Sequence, residues 1–413
     1  MIENALQETG IALAILGALL TISCLFIQAG SRFGIPLALI FLGVGMLAGS
    51  DGLGGIGFED YSLAYVFGAT ALAVILFSGG LHASYEVVRL AAVPAGLLAT
   101  AGVLGVAGLT ALFARLFGFT WPEALVFGAI MSSTDAAAVF ALFNDLALKK
   151  RVAATLELES GLNDPMAVIL TFAMTSILGG TSGGLGENLI GLCSNLGLGL
   201  LVGVAAGFGG RTLLAKVRPP NWALYPTLAL ALCLMTFGVA SAVDGSGFLA
   251  VYAAGMIIGE SDIPAKKSIL EVNASIAWLA QISMFLMLGL LVFPSRLPGV
   301  AVTGISLALC MAFVARPLPA LACLLFYKGD WKERLFIAWT GLRGAMPIIL
   351  ATVPILALSE NEAAQTEALD IFNIVFFVVL AGSIIPGATA RPLARLLGLL
   401  DETPKEHNPS SSS

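Results

Sequence analysis

Five ionisable residues sit where an apolar chain should not hold charge: Asp135, Glu159, Asp164, Arg316 and Arg343. A charge inside a hydrocarbon layer costs at least a few kcal/mol, so such residues mark a pathway or a buried pair. Glu159 and Asp164 belong to the run Glu159-Ser160-Gly161-Leu162-Asn163-Asp164-Pro165. At helical spacing Glu159 shares a face with Asn163, Ser160 shares one with Asp164, and the two faces adjoin. A carboxylate beside a hydroxyl and an amide suits a partly dehydrated alkali cation. The same carboxylate can take a proton instead, because burial penalises its charged form. Pro165 removes an intrahelical hydrogen bond and loosens the carbonyl of Gly161. The plainer alternative is a polar network that only holds helices together.

Asp135 closes the run Ser132-Ser133-Thr134-Asp135. Four small polar residues compete for backbone groups, so the helix is expected to unwind there. Freed carbonyls and two exposed helix ends make a cation site without any metal-ligand motif; a polar helix contact is the alternative. Arg343 lies in Gly341-Leu342-Arg343-Gly344-Ala345-Met346-Pro347, dense enough in Gly and Pro to break a second helix. Its guanidinium could satisfy carbonyls freed at that break, or anchor the cytoplasmic end of the segment. Arg316, in Phe313-Val314-Ala315-Arg316-Pro317, needs a carboxylate partner. Glu159 is the first candidate and Asp135 the competitor. Glu157 reads as a charge balancing Lys149 to Arg151, and Asp145 and His82 as loop or interface residues.

The elements that must position these groups are membrane spans. The chain has 413 residues, is 58% hydrophobic and only 11% charged. Soluble domains average about 25% charged residues, so this surface is not built for water. Thirteen apolar segments can be drawn at about 20 residues per helical span: 11–30, 35–49, 61–80, 91–115, 122–143, 152–178, 187–210, 222–243, 246–259, 270–293, 299–326, 335–357 and 367–390. Sixteen of the 20 basic residues then fall in one set of loops and the tail. The positive-inside rule therefore puts the N-terminus outside and the C-terminus in the cytoplasm. From Arg151, Asp164 lies about 20 Å deep at ~1.5 Å per residue, near mid-bilayer. The fifth and twelfth segments are an odd number of spans apart, which suits an inverted repeat with two interrupted helices. Asn373 would then mirror the Asn163-Asp164 region.

Other chemistries find little support. The cysteines, Cys24, Cys193, Cys233, Cys310 and Cys323, form no C-x-x-C pair and read as buried hydrophobes. Two distant histidines, His82 and His407, make a histidine metal site a poor reading. Residues 1–10 hold Glu3 and Glu8 but no basic residue, so the first apolar run is expected to be a permanent span rather than a cleaved signal. No cofactor is expected, no enzyme active site is visible, and no nucleic-acid partner is implied.

At these residues the chain resembles the monovalent cation:proton antiporters of the CPA1 (NhaP-type) group. Thr134-Asp135, Glu159-Ser160-x-x-Asn163-Asp164, the Ala-Arg316-Pro context and Gly341-Leu-Arg-Gly-Ala carry the likeness. The strings Ser-Thr-Asp-Ala-Ala-Ala-Val-Phe and Glu-Ser-Gly-Leu-Asn-Asp-Pro-Met-Ala-Val look like its potassium/proton branch, also called cell volume regulation protein A. The resemblance implies an all-α fold of thirteen spans, N-out and C-in, with two crossed broken helices, a six-helix core and a dimerisation part. It implies a transmembrane antiporter domain over 1–400, with core segments at about 91–178 and 299–390. Residues 401–413 would be a disordered cytoplasmic tail, truncated relative to members that continue into a regulatory domain. Asp164 would bind cation and proton alternately, with Ser160, Asp135 and the Thr134 carbonyl completing the cation shell. Glu159 and Arg316 would form a structural ion pair, and Arg343 would support a helix break. Asn163 stands where electrogenic relatives carry a second aspartate, which implies one-for-one electroneutral exchange. Expected partners are potassium, or sodium, and a proton, together with the lipid bilayer of the cell (inner) membrane and a second copy of the chain in a homodimer. A cation-coupled symporter of an organic solute is the alternative; it would need larger recognition groups than Ser132 to Asp135 offer.

Overall fold

The computed structural model describes residue 10 and residues 14–25, 37–83, 85–135, 148–180, 185–359 and 362–400. The second half of the fifth expected segment, Asp145 and the tail from Asp401 lie outside the described residues. Among the described residues there is no extended strand, only two isolated bridges.

Apolar helices follow the expected segments in order. They are α1 (Ala14–Leu25), α2 (Leu37–Ala48), α3 (Tyr61–His82), α4 (Tyr85–Leu97), α5 (Val103–Leu116), α6 (Trp121–Ile130) and α7 (Lys150–Leu178). Then come α8 (Leu185–Lys216), α9 (Leu224–Ala242), α10 (Gly247–Glu260), α11 (Lys266–Leu290), α12 (Leu297–Cys310) and α13 (Pro317–Cys323). The last are α14 (Trp331–Trp339), α15 (Ala345–Ala357) and α16 (Glu362–Leu397). Among the described residues, eight helices are long and apolar enough to cross a membrane by length and composition, and five further apolar helices are shorter.

Local sequence explains the ends. Asp60 caps α3 by accepting a hydrogen bond from the Leu63 amide at 2.8 Å. Thr120 and Glu123 form a capping box at the start of α6, and the Ser246 hydroxyl caps α10.

Two single-turn π segments interrupt otherwise continuous helices. Leu98–Gly102 joins α4 to α5, and Met311–Ala315 joins α12 to α13. In the second, the Arg316 amide reaches back five residues to the Met311 carbonyl at 3.0 Å. Pro317 has no amide hydrogen to restore the regular ladder, so the wide turn ends at the buried Arg316. The two interrupted helices touch: a Cβ on Gly105 would meet the Pro319 ring.

Helices α3, α8 and α10 approach through glycines. A Cβ at Gly255 of α10 would lie 2.6 Å from the Phe77 carbonyl oxygen of α3, and one at Gly203 of α8 would lie 2.5 Å from the Ala250 carbonyl oxygen of α10. Small residues at such positions let helix backbones touch where lipid offers no hydrophobic drive to associate. Gly45 of α2 and Gly289 of α11 make a similar seam.

Candidate functional site

The site forms where two non-helical stretches meet beside α7. The first, Ser132 to Asp135, follows the end of α6 at Ile130. The second, Thr340 to Gly344, separates α14 from α15. The Asp135 amide donates to the Leu342 carbonyl at 2.9 Å, and Arg343 Nη1 donates to the Ser133 carbonyl at 2.7 Å. Each stretch thus satisfies backbone groups that the other leaves open. The charges also suit the helix ends. Arg343 caps carbonyls just past the C-terminus of α6, and the Asp135 carboxylate lies against Gly344 at the N-terminus of α15. A Cβ at Gly344 would occupy the Asp135 carboxylate, which is why only glycine fits there.

Helix α7 presents its polar run to this junction without breaking at Pro165; it is helical from Lys150 to Leu178. Glu159, Ser160, Asn163 and Asp164 are all about 1% exposed. Asn163 Nδ2 donates to Thr134 Oγ1, and that hydroxyl lies 3.2 Å from Ser160 Oγ. The spacing reading grouped Asn163 with Glu159; in the fold Asn163 and Ser160 converge on Thr134 instead. Asp164 Oδ1 is buried and has no hydrogen-bond partner among the described residues.

Arg316 turns to Glu159, not Asp135. Arg316 Nη1 is 2.6 Å from Glu159 Oε1 and Nη2 donates to Oε2 at 3.0 Å, a two-point grip sealed from solvent. The arginine side chain lies across Gly341, where a Cβ would fall 2.6 Å from Nε. One buried pair therefore ties α7 and α13 to the break before α15.

The charges at the start of α7 find partners far along the chain. Lys149 pairs with Glu333 at 3.3 Å, and Arg151 donates to the Lys328 carbonyl. Of the three cations that Glu157 is expected to balance, Lys149 and Arg151 thus have partners in α14 and on the segment leading into it. His82, exposed at the end of α3, has Nδ1 2.8 Å from the Ser78 carbonyl of the same helix. Asn373 is buried in α16. Sequence reasoning missed Ser383 on the same helix, whose hydroxyl donates to the Arg343 carbonyl and steadies the second break. No motif marks it; only a lone buried serine in an apolar helix could have hinted at it. Among the described residues no group of three or more His, Cys, Asp or Glu could hold a metal ion.

The chain's likeness to known proteins spans nearly its whole length. The model of the family described as "Sodium/hydrogen exchanger, transmembrane" matches residues 15–396. A K(+)/H(+) antiporter NhaP from Alkalimonas amylolytica is 40% identical over 413 residues, covering 98% of this chain and 70% of that protein. A K(+)/H(+) antiporter NhaP2 from Shewanella sp. (strain MR-4) is 43% identical, covering 97% and 69%. The sodium proton antiporter MjNhaP1 from Methanocaldococcus jannaschii shares the fold, with a TM-score of 0.80 at 24% identity over 95% of this chain and 100% of that one. With the family model matched across almost every described helix, the chain belongs to the transmembrane sodium/hydrogen exchanger family.

Proposed function

We propose that the chain is a secondary antiporter exchanging a monovalent cation for a proton by competition for Asp164. The observation that carries this reading is the Asp164 carboxylate itself. It is buried, has one oxygen without a hydrogen-bond partner among the described residues, and lies one residue from the Thr134–Ser160–Asn163 knot. A carboxylate so placed takes either a cation or a proton, and the exclusion couples the two fluxes with no cofactor. The Thr134 carbonyl, the Ser160 hydroxyl and Asp135 complete the cation shell. Asn163 cannot titrate, so a single carboxylate carries one cation one way and one proton the other, and exchange is electroneutral. Potassium is favoured because the relatives at 40% and 43% identity are named for it. Sodium remains the second ion, since a relative at 26% identity from Aphanothece halophytica is named a Na(+)/H(+) antiporter.

In this reading thirteen spans run N-out to C-in across the cell membrane. Segments 91–178 and 299–390 carry the site through two crossed broken helices, while the remaining helices form the scaffold and a homodimer contact. Asp164→Asn in liposomes tests the mechanism: exchange driven by a potassium gradient should vanish, and retained proton movement would refute the assignment. Potassium, sodium and rubidium gradients on one preparation rank the ions.

A further inference from the structure

We infer that Glu157 guards the path by which the cation reaches Asp164, with the ring of Tyr252 closing that path between them. The inference rests on the antiport reading above. In helical register, Glu157, Gly161 and Asp164 occupy positions i, i+4 and i+7, one stripe of α7. Gly161 in the middle of that stripe packs on the Tyr252 ring of α10, where a Cβ would lie 2.8 Å from the ring. Tyr252 is fully buried and packs with Ala154 and Leu158 of α7 and Ala91 and Ala95 of α4. Below the ring the stripe opens. From Ala154 to Pro165 only Glu157 and Leu162 are part-exposed, and every other residue is buried.

Glu157 is also the acid on this helix that has nothing to do structurally. Glu159 is held by Arg316, while Lys149 and Arg151, each about two turns away, bind Glu333 and a backbone carbonyl. No ion pair engages Glu157 among the described residues, yet it interacts electrostatically with the Tyr252 phenol. A part-exposed carboxylate with no ion-pair partner among the described residues concentrates cations at its own position. It lies about 10 Å from Asp164 along the helix, at ~1.5 Å per residue. Tyr252 stands between the two positions, on a helix outside the polar junction.

The test uses the full chain in proteoliposomes and the half-saturating potassium concentration of proton exchange. Glu157→Gln should raise that concentration roughly 4- to 15-fold, the effect of one charge at this distance in a partly screened medium, with a smaller change in maximal rate. Glu157→Asp should recover most of the loss. Charge rescue supplies a second measurement on a single folded variant. In a background with the exposed Cys24 and Cys193 replaced by Ser, Glu157→Cys should react with water-soluble thiosulfonates. A negatively charged adduct should lower the half-saturating concentration and a positively charged one should raise it. An unmoved concentration in Glu157→Gln, equal impairment in Gln and Asp, or a cysteine that no reagent reaches would each overturn the inference. If the unmutated chain exchanges and Asp164→Asn is silent, those failures leave antiport standing; if the unmutated chain moves no protons, both readings fall together.

Discussion

Around Asp135 and Arg343 the backbone is unwound, and side chains take up what the helices release. Arg343 reaches the Ser133 carbonyl, Ser383 donates to the Arg343 carbonyl, and the Asp135 amide finds Leu342. Along the seam of α3, α8 and α10 the backbone is fully helical, and glycines let neighbouring helices touch. Both regions bury backbone away from water, where every amide and carbonyl needs a partner. The seam meets that demand inside each helix. The junction meets it between segments, and there carboxylates, hydroxyls and carbonyls gather at one place. Polar groups converge where the helices stop beside α7, and close backbone packing holds where they do not.

The largest effect should come from the pair that holds the junction to α7. Arg316→Met leaves Glu159 buried without its partner, at a cost of roughly 3–5 kcal/mol. Thermal melting in detergent should fall steeply and exchange should be lost. Adding Glu159→Gln should restore much of the melting temperature without restoring transport. An unchanged melting temperature in the single variant would mean the pair does not bear on stability.

A backbone probe comes next. In Gly344→Ala the new methyl falls on the Asp135 carboxylate. Moving that group should slow exchange roughly 10- to 100-fold, the scale expected when site groups shift by about 1 Å, while most of the folded protein survives. Normal exchange in Gly344→Ala would show that Asp135 can move freely and is no part of the site.

These two sites differ in how far the sequence reveals them. The acids and arginines are legible because a charge in an apolar run needs a reason. Arg316 demanded a carboxylate, with Glu159 the first candidate and Asp135 the competitor. The two unwound stretches were legible from Ser132 to Asp135 and from Gly341 to Pro347, where hydroxyls and glycines disfavour a lipid-facing helix. Legibility stopped where the cause is tertiary. Pro165 suggested a loosened helix, yet α7 runs through it, packed on several sides. The π turn before Arg316 ends at Pro317, and the two interrupted helices touch at Gly105 and Pro319; no spacing rule marks either. The partners of Lys149 and Arg151 come from a segment some 180 positions along, beyond the reach of counting nearby charges.

The seam supplies the contrasting case. Gly255→Ala puts a methyl 2.6 Å from the Phe77 carbonyl oxygen, and backbone yields less readily than a side chain. Overpacking of this kind costs about 1–3 kcal/mol. Less protein should fold and melting should come earlier, but the surviving protein should half-saturate at the same cation concentration as the unmutated chain. A shifted half-saturation would erase the division between a binding junction and a rigid seam.

The smallest effect should come from Lys149, although it sits in the most connected cluster outside the junction. Its ammonium is 3.3 Å from Glu333, its amide donates to the Leu399 carbonyl, and its neighbour Leu148 bridges Leu400. Tyr327 donates to Glu333 at 3.0 Å, and Arg334 donates to the Tyr327 carbonyl. Burial, with the Glu333 carboxylate second, pushes the Tyr327 phenol up, so it stays a neutral donor at any physiological pH. The Lys149 side chain, however, is 41% exposed. Solvent screens such a pair, and pairs of this kind contribute about 0–1 kcal/mol. Lys149→Ala keeps the backbone bond to Leu399 and the Tyr327–Glu333 bond, so melting and exchange should stay close to those of the unmutated chain. Glu333→Ala should cost more, about 1–3 kcal/mol, because it strands the buried phenol of Tyr327. If the lysine variant proved the more damaging of the two, the cluster would be held by its charge pair rather than by its buried hydrogen bond, and α14 would be tied to the start of α7 by electrostatics that salt can loosen.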